Sequence, residues 1–217
     1  MTNLAPYFDH TTLKPDTTLA QIEQLCSEAK NYGFASVCVP PFFVKKSVQL
    51  LKDSKVHVAT VIGFPMGYST TAAKVEEIKR AIDEGAREVD VVVNICAVKS
   101  GDWNFVRHDI ERMIAATHLK GKVIKVILET GLMADDEIDK LAEICNELGP
   151  DYVKTSTGFN GSGANEAIVG RLRSLMNKKI KIKASGGIRD RAAAEAMITA
   201  GADRLGSSSS VLIVKDL

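Results

Sequence analysis

Three ionisable side chains have the types and the spacing that amine catalysis requires. Asp90 lies in EVDVVVN, Lys154 in DYVKTS and Lys183 in KIKIKAS, and these segments have the β-branched and aromatic composition of strands. Successive side chains of a strand point to opposite faces, so the face that holds the valines and isoleucines excludes these three residues. The alternation predicts that two lysines and one carboxylate face one another in the interior.

Buried lysines that lie close together favour a neutral, nucleophilic amine. Loss of solvent and repulsion between like charges both lower the pKa of a lysine. An ordinary lysine, with a pKa of ~10.4, is neutral in about four parts in ten thousand at pH 7, and lowering its pKa by ~3 units raises that fraction on the order of a thousandfold. The neutral amine attacks an aldehyde or ketone to form an iminium, which accepts electrons from a breaking carbon-carbon bond. We expect Lys154 to be this nucleophile and Asp90 to carry protons through a water.

Two other lysines show that an inward position alone does not identify a catalytic residue. Lys181 shares the inward face of KIKIK and is expected to extend into solvent at the opposite mouth of the sheet. Lys125 lies four residues before Glu129, where a buried lysine-carboxylate pair is expected. Structural ion pairs also perturb pKa values, so this alternative stays open for Lys154.

A repeated pattern of a helical stretch, a glycine and a short β-rich run organises the chain. It appears first in PDTTLAQIEQLCSEAKNYG before ASVCV, and it recurs before EVDVVVN, DYVKTS and DRLGSS. PYFDH, HVATVIG, KVIKVILET and KIKIKAS bring the strand candidates to eight. The pattern predicts an α/β protein, a single (β/α)8 TIM-barrel domain over residues 1–217. An open doubly wound sheet is disfavoured, because FDHTTLKPD after the first strand lacks a glycine-rich nucleotide loop.

Composition narrows the class of protein. The 217 residues carry 28 basic and 27 acidic side chains, so no overall charge favours binding to nucleic acid or to a membrane. MTNLAPYFDH has neither a basic nor an apolar leader region, and no run approaches the ~18 apolar residues of a membrane span, so a cytoplasmic location is expected. The four cysteines have no CxxC spacing and the four histidines no metal-ligand spacing, which predicts reduced thiols and no metal site.

Glycine-rich and hydroxyl-rich loops follow three of the last strand candidates. SGGIRD follows the seventh and GSSSS the eighth, at predicted helix starts where backbone N–H groups and the helix dipole favour an anion. Barrels commonly hold phosphate between these two loops, and STG after Lys154 could close the site. Gly158, Gly187, Ser208 and Ser209 are therefore candidate phosphate contacts.

The motifs FDHTTLK, SVCVPPFFV, VIGFPMG, EVDVVVN, KVILETG, YVKTSTGF, KASGGIR and RLGSSS resemble those of the deoxyribose-phosphate aldolases along nearly the whole chain. The resemblance implies reversible cleavage of 2-deoxy-D-ribose 5-phosphate to D-glyceraldehyde 3-phosphate and acetaldehyde, in deoxyribose phosphate catabolism. It implies no metal and no organic cofactor. It also implies that Lys154 forms the Schiff base, that Lys183 lowers its pKa and exchanges protons with it, and that Asp90 relays protons.

The resemblance further implies a set of substrate-binding residues. They are Asp9, Thr11, Thr157, Gly158, Gly186, Gly187, Gly206, Ser208 and Ser209. The chain departs from the family at VLIVKDL, which lacks the terminal tyrosine that assists proton transfer in some members, so water is expected to serve that step. The expected partners are the phosphorylated sugar, acetaldehyde and further copies of the chain, as a dimer or tetramer.

Two alternative functions remain compatible with the motifs. The first is another Schiff-base barrel enzyme, a transaldolase-like activity that accepts ketose donors. The second is a non-catalytic phosphosugar-binding barrel in which Lys154 and Lys183 only neutralise a ligand. Phe42 and Phe43 fit either a dimer surface or an ordinary helix start.

Overall fold

A computed structural model describes residues 3–215 and contains, within that range, eight parallel strands in a closed barrel. Neighbouring strands pair in chain order, and β8 closes the barrel by pairing with β1. Strands β1 to β8 are Phe8–Thr11, Ser36–Val39, His57–Ile62, Glu88–Val92, Val123–Ile127, Tyr152–Lys154, Lys181–Ser185 and Arg204–Ser207. The predicted (β/α)8 barrel is confirmed, with a strand in each of the eight candidate segments.

Helices surround the barrel between successive strands. Helices α1 to α9 are Leu19–Tyr32, Val44–Leu50, Thr71–Asp83, Ile95–Lys99, Trp103–His118, Asp135–Leu148, Glu166–Leu175, Arg191–Thr199 and Ser210–Lys215. Short 3-10 turns occupy Ala5–Tyr7, Pro41–Phe43 and Thr130–Leu132. None of the helices in the described part of the chain is both long enough and apolar enough to cross a membrane.

A capping residue and a glycine explain the bounds of helix α1. Thr18 accepts a hydrogen bond from the backbone N–H of Gln21, whose side chain bonds back to the Thr18 backbone, a capping box. Gly33 ends the helix with φ 70°, a left-handed conformation that glycine adopts without a Cβ clash. This stop returns the chain to the barrel at β2.

Strand alternation divides the barrel into an apolar outer layer and a charged interior. Val89, Val91 and Ile182 pack with the helices in the main hydrophobic core, and each contributes about 1.5–3 kcal/mol when fully buried. Their neighbours Asp90 and Lys183 are equally buried but point into the barrel. The outer layer thus stabilises the fold, and the interior is available for polar groups.

A buried ion pair joins two helices to the end of β4. The Lys74 ammonium donates to Asp109 Oδ2 at 2.8 Å and to the Val92 carbonyl at 3.0 Å. Thr71 donates its hydroxyl proton to Asp109 Oδ1 at 2.7 Å. These contacts hold α3 and α5 against the strand that carries Asp90.

Lys74→Met is expected to lower the free energy of unfolding by roughly 3–5 kcal/mol, because Asp109 then stays buried without its cation. Adding Asp109→Leu should recover part of that loss, since no lone charge remains. Urea unfolding of both variants measures the effect. Lys79→Met, at a half-exposed position of the same helix, is the matched control and should change stability little.

All four cysteines are free thiols, as predicted. Cys26, Cys38 and Cys145 are buried, and Cys96 is exposed. Burial raises the pKa of Cys145 to about 12 and that of Cys38 to about 11, so both stay protonated at neutral pH.

Candidate active site

The structure brings Lys154, Lys183 and Asp90 together inside the barrel. The Lys154 ammonium donates to Asp90 Oδ2 at 2.8 Å, and the Lys183 ammonium donates to the same oxygen at 2.8 Å. All three side chains are buried. The two lysines reach the carboxylate from neighbouring strands, because Lys154 and Lys183 lie directly opposite each other in the β6–β7 register.

The two amines differ in their pKa shifts. Burial lowers the pKa of Lys154, Asp90 opposes that effect, Lys183 reinforces it, and the net shift is downward. Burial also lowers the pKa of Lys183, but the carboxylates of Asp9 and Asp90 outweigh burial and the net shift is upward. Lys154 is therefore the amine that loses its proton first, and Lys183 stays a cation.

Asp90 is an ionised acceptor at neutral pH. Burial raises the pKa of its carboxyl group, but Lys125, Lys154 and Lys183 together hold that pKa well below its usual range. A carboxylate in this state can pass a proton between neighbours, but it does not store one.

The expected Lys125–Glu129 pair is wrong. Lys125 points into the barrel and contacts Asp90 Oδ1 at 2.9 Å and Glu88 Oε2 at 2.6 Å. Glu129 lies beyond the end of β5 at φ 55°, so strand alternation no longer determines its direction. Lys181 is exposed at the opposite mouth, as predicted, with its ammonium 5.6 Å from the ring of Tyr152.

A cavity of about 480 Å³ opens at the carboxyl ends of the strands and is bounded by the loops after β1, β6, β7 and β8. Eight of the nine predicted substrate-binding residues line it, together with the Lys154 side chain. They are Thr11, Thr157, Gly158, Gly186, Gly187, Gly206, Ser208 and Ser209. The wall also includes cationic side chains, at Lys14 and Arg189, that suit an anionic ligand.

Asp9 differs from the prediction because it lies beneath the cavity and not in its wall. Its side chain is fully buried, accepts a hydrogen bond from Lys183 and accepts another from Arg204 Nη1 at 2.6 Å. Asp9 is therefore a partner of Lys183 and Arg204 beneath the cavity.

The expected helix-dipole site after β7 requires a correction. Helix α8 begins at Arg191, and Asp190 already caps it by accepting from the Ala193 N–H at 2.8 Å. The glycines before it form a loop, with Gly186 at φ 87° and Gly187 at φ 82°. Any anion here meets loop backbone instead of a free helix end.

Serine hydroxyls connect the two glycine-rich loops. Ser207 donates to the Ile188 carbonyl at 2.7 Å, and the Ser209 N–H donates to Ser207 Oγ at 2.9 Å. The hydroxyl of Ser207 is thus used within the protein, and the loops after β7 and β8 form one connected wall.

Glu129 organises the loop after β6, and the sequence analysis missed this role. Its carboxylate accepts from the Thr157 N–H at 3.0 Å, from the Thr157 hydroxyl and from Asn160 Nδ2 at 3.2 Å. Asn160 also donates to the Pro65 carbonyl at 3.0 Å. The hydroxyl of Thr157 is therefore directed at Glu129. In the sequence, the only signal for this role of Glu129 is its position at the end of a strand.

Glu129→Gln is expected to loosen this loop, because hydrogen bonds to an ionised carboxylate contribute about 1.5–3 kcal/mol each. Hydrogen-deuterium exchange at the Thr157 and Phe159 amides should accelerate roughly tenfold or more, since ~1.4 kcal/mol is a factor of ten. Glu143→Gln, at an exposed position of α6, is the control and should leave that exchange unchanged. Unaltered exchange in Glu129→Gln would show that the loop is held by other contacts.

Comparison with known proteins gives the family. A model of the DeoC/LacD family aldolases matches residues 4–210. A deoxyribose-phosphate aldolase of Desulfitobacterium hafniense (strain DSM 10664 / DCB-2) is 51% identical over 212 residues, which cover 98% of this chain and 97% of that protein. Deoxyribose-phosphate aldolase 1 of Bacillus licheniformis is 49% identical over 214 residues, which cover 99% of this chain and 96% of that protein.

Solved structures agree with this match. The tetrameric deoxyribose phosphate aldolase from Aeropyrum pernix has a TM-score of 0.92 and 34% identity, covering 98% of this chain and 90% of that chain. The motif resemblance, the barrel and the family model thus agree. The chain belongs to the DeoC/LacD family of aldolases.

Proposed function

We propose that this protein is a class I aldolase that reversibly cleaves 2-deoxy-D-ribose 5-phosphate to D-glyceraldehyde 3-phosphate and acetaldehyde. One observation carries the proposal. Lys154, whose pKa is lowered, is also a wall residue of the cavity, whereas Lys183 and Asp90 lie outside the wall. Its relatives from Desulfitobacterium hafniense and Bacillus licheniformis bear the name of this activity.

The reaction begins with the neutral amine of Lys154. It attacks the aldehyde carbon of the open-chain sugar to give a carbinolamine, which loses water and leaves a protonated imine. The C3 hydroxyl gives its proton to Asp90 through a water, and the C2–C3 bond breaks. The electrons of that bond form the C1=C2 double bond of an enamine, while the iminium electrons return to nitrogen. D-glyceraldehyde 3-phosphate departs, a proton is added at C2, and hydrolysis releases acetaldehyde and free Lys154.

The contacts of Asp90 support a division of proton transfer between two residues. Lys183, with its raised pKa, holds the proton that the carbinolamine hydroxyl needs in order to leave as water. Asp90 Oδ2 touches both ammonium groups, so it can pass protons between them and stabilise the positive iminium. The departure from the family at VLIVKDL extends into residues 216–217, which lie outside the described residues.

The phosphate group is placed at the wall of the cavity that the loops after β7 and β8 form. Backbone of the loops after β7 and β8 lines that wall, and Arg189 and Lys14 add positive charge. Gly186 allows a close chain crossing there, because a Cβ on it would lie 2.9 Å from the Gly163 Cα. We propose Gly158, Gly187, Ser208 and Ser209 as phosphate contacts, with Thr11 near the sugar.

The remaining expectations are part of the same proposal. The protein forms a homo-oligomer, as the tetrameric Aeropyrum pernix relative does, and it needs no metal or organic cofactor. Its four free thiols support a reducing compartment, the cytoplasm. Phe42 is strongly exposed within a 3-10 turn, which supports both earlier interpretations of that position equally.

Sodium borohydride added with acetaldehyde is expected to fix a two-carbon unit on Lys154, because reduction converts the imine to a stable amine. Peptide mass spectrometry locates the adduct. Lys154→Arg should abolish it, and Lys74→Arg, at another fully buried lysine, serves as the control. An adduct elsewhere, or none, would reject the assignment of Lys154, and the absence of any adduct would favour the non-catalytic barrel. Competition between acetaldehyde and dihydroxyacetone donors separates this aldolase from a transaldolase-like enzyme.

Lys183→Leu is expected to keep the fold and to slow turnover by roughly two to four orders of magnitude, the usual contribution of a general acid-base group. The acidic limb of the pH–rate profile should also move to higher pH. Removing the Lys183 cation raises the pKa of Lys154, so the neutral amine appears only at higher pH. Steady-state kinetics across pH measure both effects. Lys181→Leu is the matched control, and kinetics equal to the parent in Lys183→Leu would reject this role.

A further inference from the structure

A second layer of charges fills the barrel on the side of Asp90 away from the cavity. Lys125 on β5 contacts Asp90 Oδ1 at 2.9 Å, Glu88 Oε2 at 2.6 Å and Asp9 Oδ2 at 3.7 Å. Arg204 on β8 contacts Asp9 Oδ1 at 2.6 Å and Glu88 Oε2 at 3.5 Å. The barrel register produces this layer, because Lys125 lies directly opposite Asp90, and Glu88 shares the inward face of β4.

The charges of Asp90, Lys154, Lys183 and this second layer balance only when Lys154 is neutral. Within the part of the chain that the structure describes, these contacts connect the carboxylates Asp9, Glu88 and Asp90 with the cations Lys125, Lys183 and Arg204. Three negative and three positive charges sum to zero. Protonated Lys154 adds an unbalanced positive charge in a buried site, where charge is costly.

Lys125 also controls how much of the Asp90 charge reaches Lys154. It occupies Oδ1 of Asp90 and leaves Oδ2 to Lys154 and Lys183. Asp90 and Glu88 raise the pKa of Lys125 well above its usual value despite burial, so this cation persists across the working pH range. Without it, the negative charge of Asp90 would act on fewer cations, and Lys154 would hold its proton more strongly.

Other groups border the charges of this cluster. Cys38 on β2 is a neutral thiol, since burial raises its pKa to about 11. His57 Nδ1 on β3 lies 3.0 Å from Glu88 Oε1, and the His57 side chain is 40% exposed. Arg87 Nη1 lies 3.4 Å from His57 Nε2. The Tyr152 ring on β6 lies 5.9 Å from the Lys125 ammonium. Exposed Lys181 on β7, across that ring, is screened by water.

We propose that Lys125 is a positioning residue whose positive charge keeps the Lys154 amine neutral, and that Glu88 offsets part of that effect, so that the two residues together set the charge balance within the barrel. The inference rests on the proposed function of Lys154 as the Schiff-base lysine. Neither residue lines the cavity. Lys125 therefore acts through Asp90, and Glu88 acts through Lys125, not on the substrate. If the Lys125–Glu88 pair were purely structural, removing either charge would not change the protonation of Lys154.

Charge compensation tests the inference. The readout is the pH midpoint at which acetaldehyde and sodium cyanoborohydride trap the adduct on Lys154. Lys125→Met leaves the interior one charge negative with neutral Lys154, so the midpoint should rise by at least about one pH unit, a tenfold loss of neutral amine. Glu88→Gln leaves it one charge positive, so the midpoint should fall. The double variant Lys125→Met/Glu88→Gln restores the balance and should return the midpoint toward that of the parent.

Controls separate the possible failures. Lys181→Met removes a lysine outside the balanced cluster and should leave the midpoint unchanged. Circular dichroism verifies the fold, and if Lys125→Met does not fold, the fall in Glu88→Gln and the return in the double variant still decide the matter. Absence of trapping at Lys154 in the parent would reject the proposed function. Other outcomes would overturn the charge-balance inference alone, provided that the parent is trapped at Lys154. They are an unchanged midpoint in the single variants, a shift of both single variants in the same direction, and a midpoint that stays displaced in the double variant.

Discussion

Asp90 accepts hydrogen bonds from lysines on three different strands, and the interior of the barrel depends on this one carboxylate. Lys125 binds Oδ1, while Lys154 and Lys183 share Oδ2. None of these charges would be tolerable alone in a site without solvent, because an unpaired buried ion costs several kcal/mol. Together they place an amine of lowered pKa beside a cation of raised pKa. Such a pair of neighbours gives the proposed nucleophile, Lys154, and the proposed proton donor, Lys183, pKa values shifted in opposite directions.

This charged interior is possible because the stabilising contacts lie elsewhere. Valines and isoleucines on the outward faces of the strands pack with the helices in one continuous core. Inside the barrel, Cys38, Ala59 and Val61 form a small apolar wall with Leu13 and Phe64. The strand residues of that wall belong to β2 and β3, whereas the charged side chains belong to β1 and to β4 to β8. Polar chemistry and an apolar surface for a small carbon fragment therefore coexist in one interior.

The end of the cavity that we propose for the phosphate is formed mainly by glycine-rich and serine-rich loops. Loops after β6, β7 and β8 meet there, and buried contacts hold each of them in place. Glu129 supports the first loop through Thr157, and Ser207 joins the other two through Ile188. Backbone N–H groups of such loops suit an anion, and Lys14 and Arg189 add positive charge at the cavity wall.

The sequence alone determined the eight strands, the inward faces of Asp90, Lys154 and Lys183, and the loops that line the cavity. Periodicity and turn residues are local properties, so they can be read from neighbouring positions. Only the tertiary structure decided which charges meet, namely that Lys125 pairs with Asp90 and Glu88 and that Asp9 lies beneath the cavity. Those partners are far apart in the chain, and their distances depend on barrel register and closure, which no local pattern encodes.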